Sequence, residues 1–360
     1  MARFAELPLS GQTAYAQLFE ATLASELSRS VANLRGSFAR KTVKGRDYWY
    51  FQFTDLGGTL RQLYVGPDSE QVRLLVTESR QSKDEPLLPL ARSAIALGCA
   101  SLLGRHFRVI RRLSEYGFFR AGGVLVGTHA FLSYGNLLGV RWGEGSRTQD
   151  VDLAHAGKNV AVALPATLQV DTHGAIESLQ LGLLPIGESS AKSRATYLNP
   201  KDPEFRLDFL TTLHRGKDEP FEHPQLRVAL QPLKFMEYVL ENVGQAAVFC
   251  EEGSVAVNIP HPARYALHKL LVYAERKGSF LQKSQKDLWQ AAALLECLKA
   301  RRPWEVEEAW ADLLGRGPGW VTRAKQGLGA LVKMAPELAL DEWLRFPRAK
   351  PSTRLRRQRA

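Results

Sequence analysis

The sequence predicts an α/β (α+β) chain with a mixed-sheet core, a helical C-terminal domain and an N-terminal region of helix and β-meander. Helical periodicity marks both ends: Leu23, Leu27 and Val31 recur on one face near the start, and amphipathic stretches follow one another after Pro262. Between them, short apolar runs alternate with glycine-rich turns and helical stretches, which is typical of a sheet covered by helices.

Changes in sequence pattern predict four segments. The first three are a helix, β-meander and helix region, a mixed α/β core and a helical C-terminal domain. The fourth is a basic tail with two prolines, which we expect to be disordered. Their expected bounds are 1–115, 116–260, 261–345 and 346–360.

The composition places the chain among ordinary globular proteins. Its 360 residues are 45% hydrophobic and 24% charged, which argues against a wholly disordered chain. The net charge is +11, and seven basic residues with no acidic residue lie between Arg345 and the C-terminus. The tail therefore indicates a polyanionic partner, or serves only as a solubilising terminus.

Cysteine usage and hydropathy predict a cytoplasmic protein without a membrane partner. Three scattered cysteines are too few for a disulfide framework or a cysteine-rich zinc site. The N-terminus lacks the apolar core of a signal peptide, and no apolar run approaches the roughly 20 residues that span a bilayer.

The predicted meander joins basic and aromatic residues, with turns at Lys44-Gly45 and Gly57-Gly58. Its alternating pattern favours burial of Trp49, Phe51 and Phe53 on one face. Tyr48 and Tyr50 lie on the other face, where basic neighbours make them candidates for stacking on single-stranded nucleic acid.

The segment from Gly122 to Ala154 carries the clearest chemical signal. A predicted strand ends in Gly127-Thr128 and leads into a helix, an arrangement in which the threonine hydroxyl and the helix N-terminus can hold phosphate oxygens. Asp150 and Asp152 lie on a later strand and share one face, about 7 Å apart, because side chains alternate along a strand. Two carboxylates on a rigid strand suit Mg²⁺, although a solvent-facing strand edge is the alternative for such a pair.

A third acid, Asp208, lies on a further predicted strand between apolar neighbours. A charged group there needs a partner, either a metal shared with Asp150 and Asp152 or the cation of Arg206 on the same face. Three carboxylates on two adjacent strands can hold two ions about 4 Å apart, with Asp208 helping to deprotonate the attacking hydroxyl. Arg147 precedes the acids in a glycine-rich loop, either near a phosphate or as a solvated charge.

This order of motifs, GVLVGTHAFLSYGN followed by RTQDVDLA and a later single aspartate, resembles the polymerase-β-like nucleotidyltransferase superfamily. It is close to a bacterial family of nucleotidyltransferase-fold proteins of undefined role and distantly similar to AbiEii-type toxin nucleotidyltransferases. The resemblance covers about residues 117–300, and the chain has Gly127-Thr128 where the superfamily usually has Gly-Ser. It implies a mixed sheet flanked by helices, two divalent ions (Mg²⁺, with Mn²⁺ as a substitute) and an NTP donor.

A helical lysine followed by Lys-Asp-Leu, here Lys269 with Lys286 and Asp287, is similar to the pattern of the AbiEii-like enzymes. The resemblance implies that Lys269 lies near the triphosphate, where a cation neutralises the leaving group. An outward-facing lysine and a charge pair at a helix start are the alternatives.

The expected function is metal-dependent transfer of a nucleoside monophosphate from an NTP to an acceptor hydroxyl, with release of pyrophosphate. RNA such as tRNA is the favoured acceptor, and a protein or a small molecule is the alternative acceptor. Analogy with the toxin relatives suggests a toxin or defence role with a cognate antitoxin. The alternative is a non-catalytic nucleic-acid-binding or regulatory protein that retains the fold. Oligomeric state, nucleotide preference and acceptor identity leave no mark in the sequence.

Overall fold

The computed structural model describes most of the chain. The described ranges are 3–31, 37–54, 60–80, 87–143, 148–156, 170–186, 195–213, 218–275 and 281–346. Within these ranges the predicted class is confirmed, since a mixed sheet lies among helices and a helical segment follows it. The Gly57-Gly58 turn, Arg147 and the tail after residue 346 lie outside them.

The described residues form the following strands and helices. The strands are β1 (Phe4–Glu6), β2 (Ser37–Val43), β3 (Arg46–Thr54), β4 (Leu60–Pro67), β5 (Val124–Leu125), β6 (Val140–Trp142), β7 (Asp150–His155), β8 (Leu184–Ile186), β9 (Thr196–Asn199), β10 (Asp202–Thr212), β11 (Phe221–His223), β12 (Val228–Leu233), β13 (Val243–Cys250) and β14 (Gly253–Pro260). The helices are α1 (Leu9–Val31), α2 (Glu70–Arg80), α3 (Leu87–Ala96), α4 (Gly104–Glu115), α5 (Gly127–Leu138), α6 (Thr172–Glu177), α7 (Met236–Leu240), α8 (Pro262–Glu275), α9 (Leu281–Arg301), α10 (Pro303–Gly315), α11 (Pro318–Met334) and α12 (Leu340–Trp343).

The central sheet has the order β11-β12-β10-β7-β5, with β9 also paired to β10 and β8 paired to β9. Strand β10 runs parallel to β7 and β12, whereas β5 and β11 are antiparallel to their neighbours, so the sheet is mixed. Val151, Leu153, Leu207 and Phe209 alternate along β7 and β10 and are fully buried. The opposite face of these two strands therefore carries the polar residues.

The N-terminal region packs against the core. Strand β1 pairs antiparallel with β6, and helices α1 and α3 cover the β13–β14 hairpin. Leu18 of α1 and Phe249 of β13 belong to one buried cluster. Arg3 forms ion pairs with Glu296 of α9 and with Glu337. The first strand and helix thus contribute directly to the stability of the core.

Strands β2, β3 and β4 form a separate antiparallel sheet, as the meander prediction requires. Lys44 and Gly45 both have positive φ angles, 51° and 75°, which suit a two-residue hairpin turn. Trp49 is buried as predicted and Phe51 is half-buried, while the Phe53 side chain lies outside the described part of the chain.

Helices α8 to α11 form the predicted helical segment after the hairpin. Their apolar faces share one buried cluster with the central sheet, so sheet and helices belong to a single core. Among the helices in the described ranges, none combines the length and apolar character needed to cross a bilayer.

Candidate functional site

Asp150, Asp152 and Asp208 lie together on one face of the central sheet. Strands β7 and β10 are parallel neighbours, and their register places Asp208 directly opposite Asp152. Neighbouring strands are about 4.8 Å apart, so the two carboxylates lie side by side. Arg206 stands opposite Asp150 in the same register. The shared face inferred from the alternation of side chains is therefore present.

The Asp152 carboxyl holds its proton more tightly than an ordinary aspartate. Burial, followed by the negative charge of Asp208, raises its pKa to about 6, and the positive charge of Lys269 partly offsets this. A partly buried carboxylate beside a second one favours the uptake of a positive charge, either a proton or a cation.

The other two acids have polar partners. The Thr196 hydroxyl donates to Asp208 Oδ1 at 2.7 Å. Arg206 Nε lies 3.3 Å from Asp150 Oδ1, and Lys283 Nζ lies 3.2 Å from Asp150 Oδ2. Arg206 thus forms its hydrogen bond and ion pair with Asp150. Closeness in the sequence suggests Asp208 as its partner instead.

Gly127 lies directly under the Asp152 carboxyl, where β5 leads into α5. Its φ is +61°, and a Cβ atom at this position would collide with Oδ2 of Asp152. The Val126 amide donates to the Asp152 carbonyl at 3.0 Å, which fixes the turn to β7. Glycine is required here for both its conformation and its lack of a side chain.

Thr128 follows Gly127 and is buried against the helical segment. Gln290 Nε2 donates to Thr128 Oγ1 at 3.4 Å. The Tyr265 hydroxyl lies 2.8 Å from the Gly127 carbonyl oxygen and 3.0 Å from Gln290 Oε1, and its single proton can serve one of them at a time. Helices α8 and α9 are thereby connected by hydrogen bonds to the Gly127-Thr128 turn.

Two lysines from α8 and α9 face the acids. Lys269 Nζ lies 2.7 Å from Asp287 Oδ1, and both side chains are largely buried. The same Nζ is 5.0 Å from the centre of the Tyr265 ring. Burial, and then the charge of Lys269, lowers the pKa of Lys286, whereas the charge of Asp152 raises it. The structure thus joins Lys269 to Asp287 and brings Lys286 within electrostatic range of Asp152.

A pair of buried histidines lies behind the turn. His129 follows Thr128, and its Nε2 is 3.0 Å from His106 Nδ1 of α4. Burial, and then the charge of His106, lowers the pKa of His129 to about 3. Burial, and then the charge of Arg105, lowers the pKa of His106 to about 4. Both rings are neutral near pH 7, so they supply a polar but uncharged backing to α5.

Among the residues described, the structure brings together Gly127, Thr128, Asp150, Asp152, Asp208, Lys269, Lys286 and Asp287. Arg147 falls outside the described ranges. Sequence reasoning missed Lys283 and Gln290, which lie with Lys286 at spacings of three and four residues on one face of α9. That spacing was the available signal, because it aligns residues at i, i+3 and i+7 along a helix.

The donor set at Asp152 and Asp208 fits a hard divalent cation. Carboxylate oxygens are the ligands that Mg²⁺ prefers, and burial, followed by the negative charge of Asp208, raises the pKa of Asp152. Asp150 contacts Arg206 and Lys283, so it can join such a site only by exchanging these cations. As they stand, the described ranges contain no group of three or more His, Cys, Asp or Glu side chains arranged to hold one ion.

The sheet, the glycine turn and the paired acids define the class of a nucleotidyltransferase-like fold, and a comparison of the sequence with protein families identifies the family. A model of a family described as nucleotidyltransferase matches residues 105–315, more than half of the chain. The chain therefore belongs to this nucleotidyltransferase family, and the match extends beyond residues 117–300 at both ends.

The chain is similar to the crystal structure of an antigenic nucleotidyltransferase-like protein from Paracoccidioides brasiliensis, at 14% identity, 63% coverage of this chain, 95% coverage of that chain and a TM-score of 0.30. None of the curated proteins compared with the chain matches it.

Proposed function

We propose that this protein transfers a nucleoside monophosphate from an NTP to an acceptor hydroxyl and releases pyrophosphate. The observation that carries the proposal is the register of β7 and β10, which sets Asp208 beside Asp152 above Gly127. Family membership supports the reaction class. The lysines of α8 and α9 supply the positive charge that a triphosphate requires.

The proposed donor site uses the turn and the helical lysines. A Thr128 hydroxyl that accepts from Gln290 keeps its own proton to donate to a phosphate oxygen. Amides at the start of α5 add donors for the same anion. Lys269 and Lys286 stabilise the negative charge that develops on the departing pyrophosphate, and Lys283 can exchange Asp150 for a phosphate oxygen.

The proposed chemistry is an in-line displacement at the α-phosphorus. The acceptor oxygen forms a bond to phosphorus, the bond to the bridging oxygen of pyrophosphate breaks, and a carboxylate such as Asp208 takes the acceptor proton. Asp150, Asp152 and Asp208 are the residues that would hold Mg²⁺ or Mn²⁺. The two ions, when bound, would lower the pKa of the acceptor hydroxyl and neutralise the leaving group.

RNA, such as tRNA, is the acceptor class that we propose. The net charge of +11 and the basic C-terminal segment support a polyanionic partner. By analogy with the AbiEii-type toxin nucleotidyltransferases that the sequence resembles, we also propose a toxin or defence role with a cognate antitoxin.

The donor half of the proposal can be tested without knowing the acceptor. Mn²⁺ together with a nonhydrolysable NTP analogue should raise the melting temperature of the wild type. An Asp152→Asn/Asp208→Asn variant should lose this shift, because it removes both adjacent negative charges. Asp202→Asn is the matched control, since Asp202 lies on the same strand but pairs with Arg105 at 2.6 Å.

A wild type that shows no shift with any NTP analogue would contradict the donor site, as would a shift retained in the double variant. Pyrophosphate release in the presence of cellular RNA then separates an enzyme from a binding protein that retains the fold. Release by wild type and Asp202→Asn, but not by the double variant, is the expected result.

A further inference from the structure

The β2–β3–β4 sheet carries a face rich in tyrosine that lies outside the region matched by the family model. We call it the tyrosine face and define it by Lys41, Arg46, Tyr48, Tyr50 and Tyr64. The register sets Lys41 opposite Tyr48 and sets Tyr50 opposite Tyr64, so these side chains share one side of the sheet.

The rings of the tyrosine face touch one another while remaining accessible. The Tyr50 and Tyr64 ring centroids are 5.6 Å apart with a T-shaped arrangement, and those of Tyr48 and Tyr64 are 6.1 Å apart. Tyr64 is 59% exposed, and Tyr48 and Tyr50 are half-buried. Helix α2 follows β4, and its Val72 approaches Gly66. Gly66 is the register partner of Trp49, whose side chain lies on the side of the sheet opposite to the tyrosines.

The described acidic residues of this sheet lie on one of its two faces. Lys41 Nζ lies 5.1 Å from the centre of the Tyr50 ring, and Lys41 and Arg46 are both exposed. Asp47 faces the other side, where it pairs with Arg40 at 3.6 Å. Asp68 is likewise engaged by the Trp49 indole at 2.8 Å. The tyrosine face therefore presents cations and aromatic rings, while the described acids Asp47 and Asp68 lie on the Trp49 side together with Arg40.

From this sorting we propose that the tyrosine face binds single-stranded RNA. Accessible aromatic rings stack on unpaired bases, and neighbouring cations contact phosphates, which is how sheets bind single strands. The tyrosine hydroxyls can hydrogen-bond ribose 2′-hydroxyls, which DNA lacks. The proposal goes beyond the transfer reaction, because it concerns a surface that needs neither NTP nor metal to bind its ligand.

The test measures binding of a fluorescein-labelled 12-nucleotide single-stranded RNA by fluorescence anisotropy, with the full chain and without NTP. Tyr64→Ala should weaken binding by about tenfold, since one stacked base is lost. Tyr64→Phe, which keeps the ring, should stay within about threefold of wild type. Leu63→Ala is the matched control, because Leu63 is the exposed neighbour on the same strand and points to the other face.

Several outcomes would overturn the proposal: no RNA binding by the wild type, equal affinity for Tyr64→Ala, or equal affinity for DNA of the same sequence. Binding to vesicles of phosphatidylserine and phosphatidylcholine in place of RNA would reassign the face to membranes. A change in oligomeric state in Tyr64→Ala, without a change in RNA affinity, would reassign it to self-association. The transfer proposal is independent of all of these results, because it is measured at Asp152 and Asp208.

Discussion

At the scale of single residues, Gly127 links the backbone conformation of the turn to the position of the Asp152 carboxyl. Alanine there would adopt a positive φ at a cost of about 1–2 kcal/mol and would displace the Asp152 carboxyl. We expect Gly127→Ala to lower the melting temperature and to reduce nucleotidyl transfer by at least about tenfold.

Gly139 at the other end of α5 provides the control for this substitution. Its φ is +67°, and an added Cβ would meet the flexible Gln12 side chain instead of a site residue. Gly139→Ala should therefore lose stability but keep its transfer rate. Equal transfer rates in the two variants would show that the close approach of Gly127 to Asp152 has no functional role.

The His106 and His129 pair predicts how stability depends on pH. Both pKa values lie well below the ordinary 6.5, at about 4 and about 3, so the unfolded chain binds more protons in this window. Their contribution to stability is fully present above the unfolded pKa of 6.5 and is lost progressively as the pH falls from there to the folded values of about 4 and about 3. Between about pH 7 and about pH 5.5, each should lower the free energy of unfolding by about 1 kcal/mol.

Urea denaturation at both pH values measures this loss, with His129→Gln as the test variant. The free energy of unfolding of the variant should fall less between the two pH values than that of the wild type, because one histidine no longer takes up a proton on unfolding. Replacement of the partly exposed His173 by Gln is the control and should leave the drop unchanged. A full drop in His129→Gln would show that buried His129 does not contribute to the pH dependence.

At the scale of elements, α8 and α9 are held together across the site by the Lys269–Asp287 ion pair. Lys269→Met should cost about 3 kcal/mol of stability because the ion pair between Lys269 and buried Asp287 is lost. The double variant Lys269→Met/Asp287→Leu should recover most of that loss, since an apolar pair can replace a buried ion pair. Urea denaturation of the two variants measures the recovery.

The same pair of variants separates structure from function. If Lys269 acts on the triphosphate, the stable double variant should still fail to transfer nucleotide. Recovery of transfer together with stability would mean that Lys269 only holds α8 to α9.

The alternation of side chains along β7 and β10 could be predicted from the sequence, and with it the shared face of the three acids. The register could not, because pairing between Asp152 and Asp208 joins strands that lie far apart along the chain. For the same reason, closeness in the sequence suggested Asp208 as the partner of Arg206, whereas the strand register sets Arg206 opposite Asp150. Local patterns predict which face a residue occupies, and long-range packing decides its partner.

Helix α9 is a second case in which the sequence predicts the element but not its contacts. Its amphipathic pattern predicts a helix, and the resemblance selected Lys286 and Asp287 from it. The contacts of Lys283 with Asp150 and of Gln290 with Thr128 depend on how α9 is rotated against the sheet. That rotation is set by packing of its apolar face in the core, which the sequence pattern alone does not fix.

At the scale of the whole molecule, elements that precede the family match pack against the core that carries the site. The family match begins at residue 105, yet Leu18 of α1 packs with Phe249 in the core, and β1 extends the sheet contact of β6. The N-terminal region is therefore part of the folded unit and should be retained in any experiment on activity.

The basic C-terminal segment gives a prediction about RNA affinity. Phe346 packs on Trp310 with ring centroids 5.1 Å apart, so a truncation should begin at residue 347. Deleting 347–360 should weaken RNA binding and flatten its dependence on salt, since fewer phosphate contacts release fewer counterions. Titrations between about 50 and about 200 mM salt measure the slope.

A full-length chain in which the basic residues after Phe346 are replaced by glutamine is the matched control for the deletion. It should behave like the truncation if charge is the cause. An unchanged slope in both variants would exclude the tail as an RNA contact.

The central claim is that the acids on β7 and β10 catalyse nucleotidyl transfer, and one assay tests it most directly. Each α-³²P-labelled NTP is incubated with Mg²⁺ or Mn²⁺, bacterial RNA and soluble protein, using wild type, Asp152→Asn/Asp208→Asn and Asp202→Asn. We predict that label enters a discrete RNA band with wild type and Asp202→Asn, and not with the double variant. Equal labelling by the double variant, or neither label nor pyrophosphate from the wild type with any NTP, would contradict the claim.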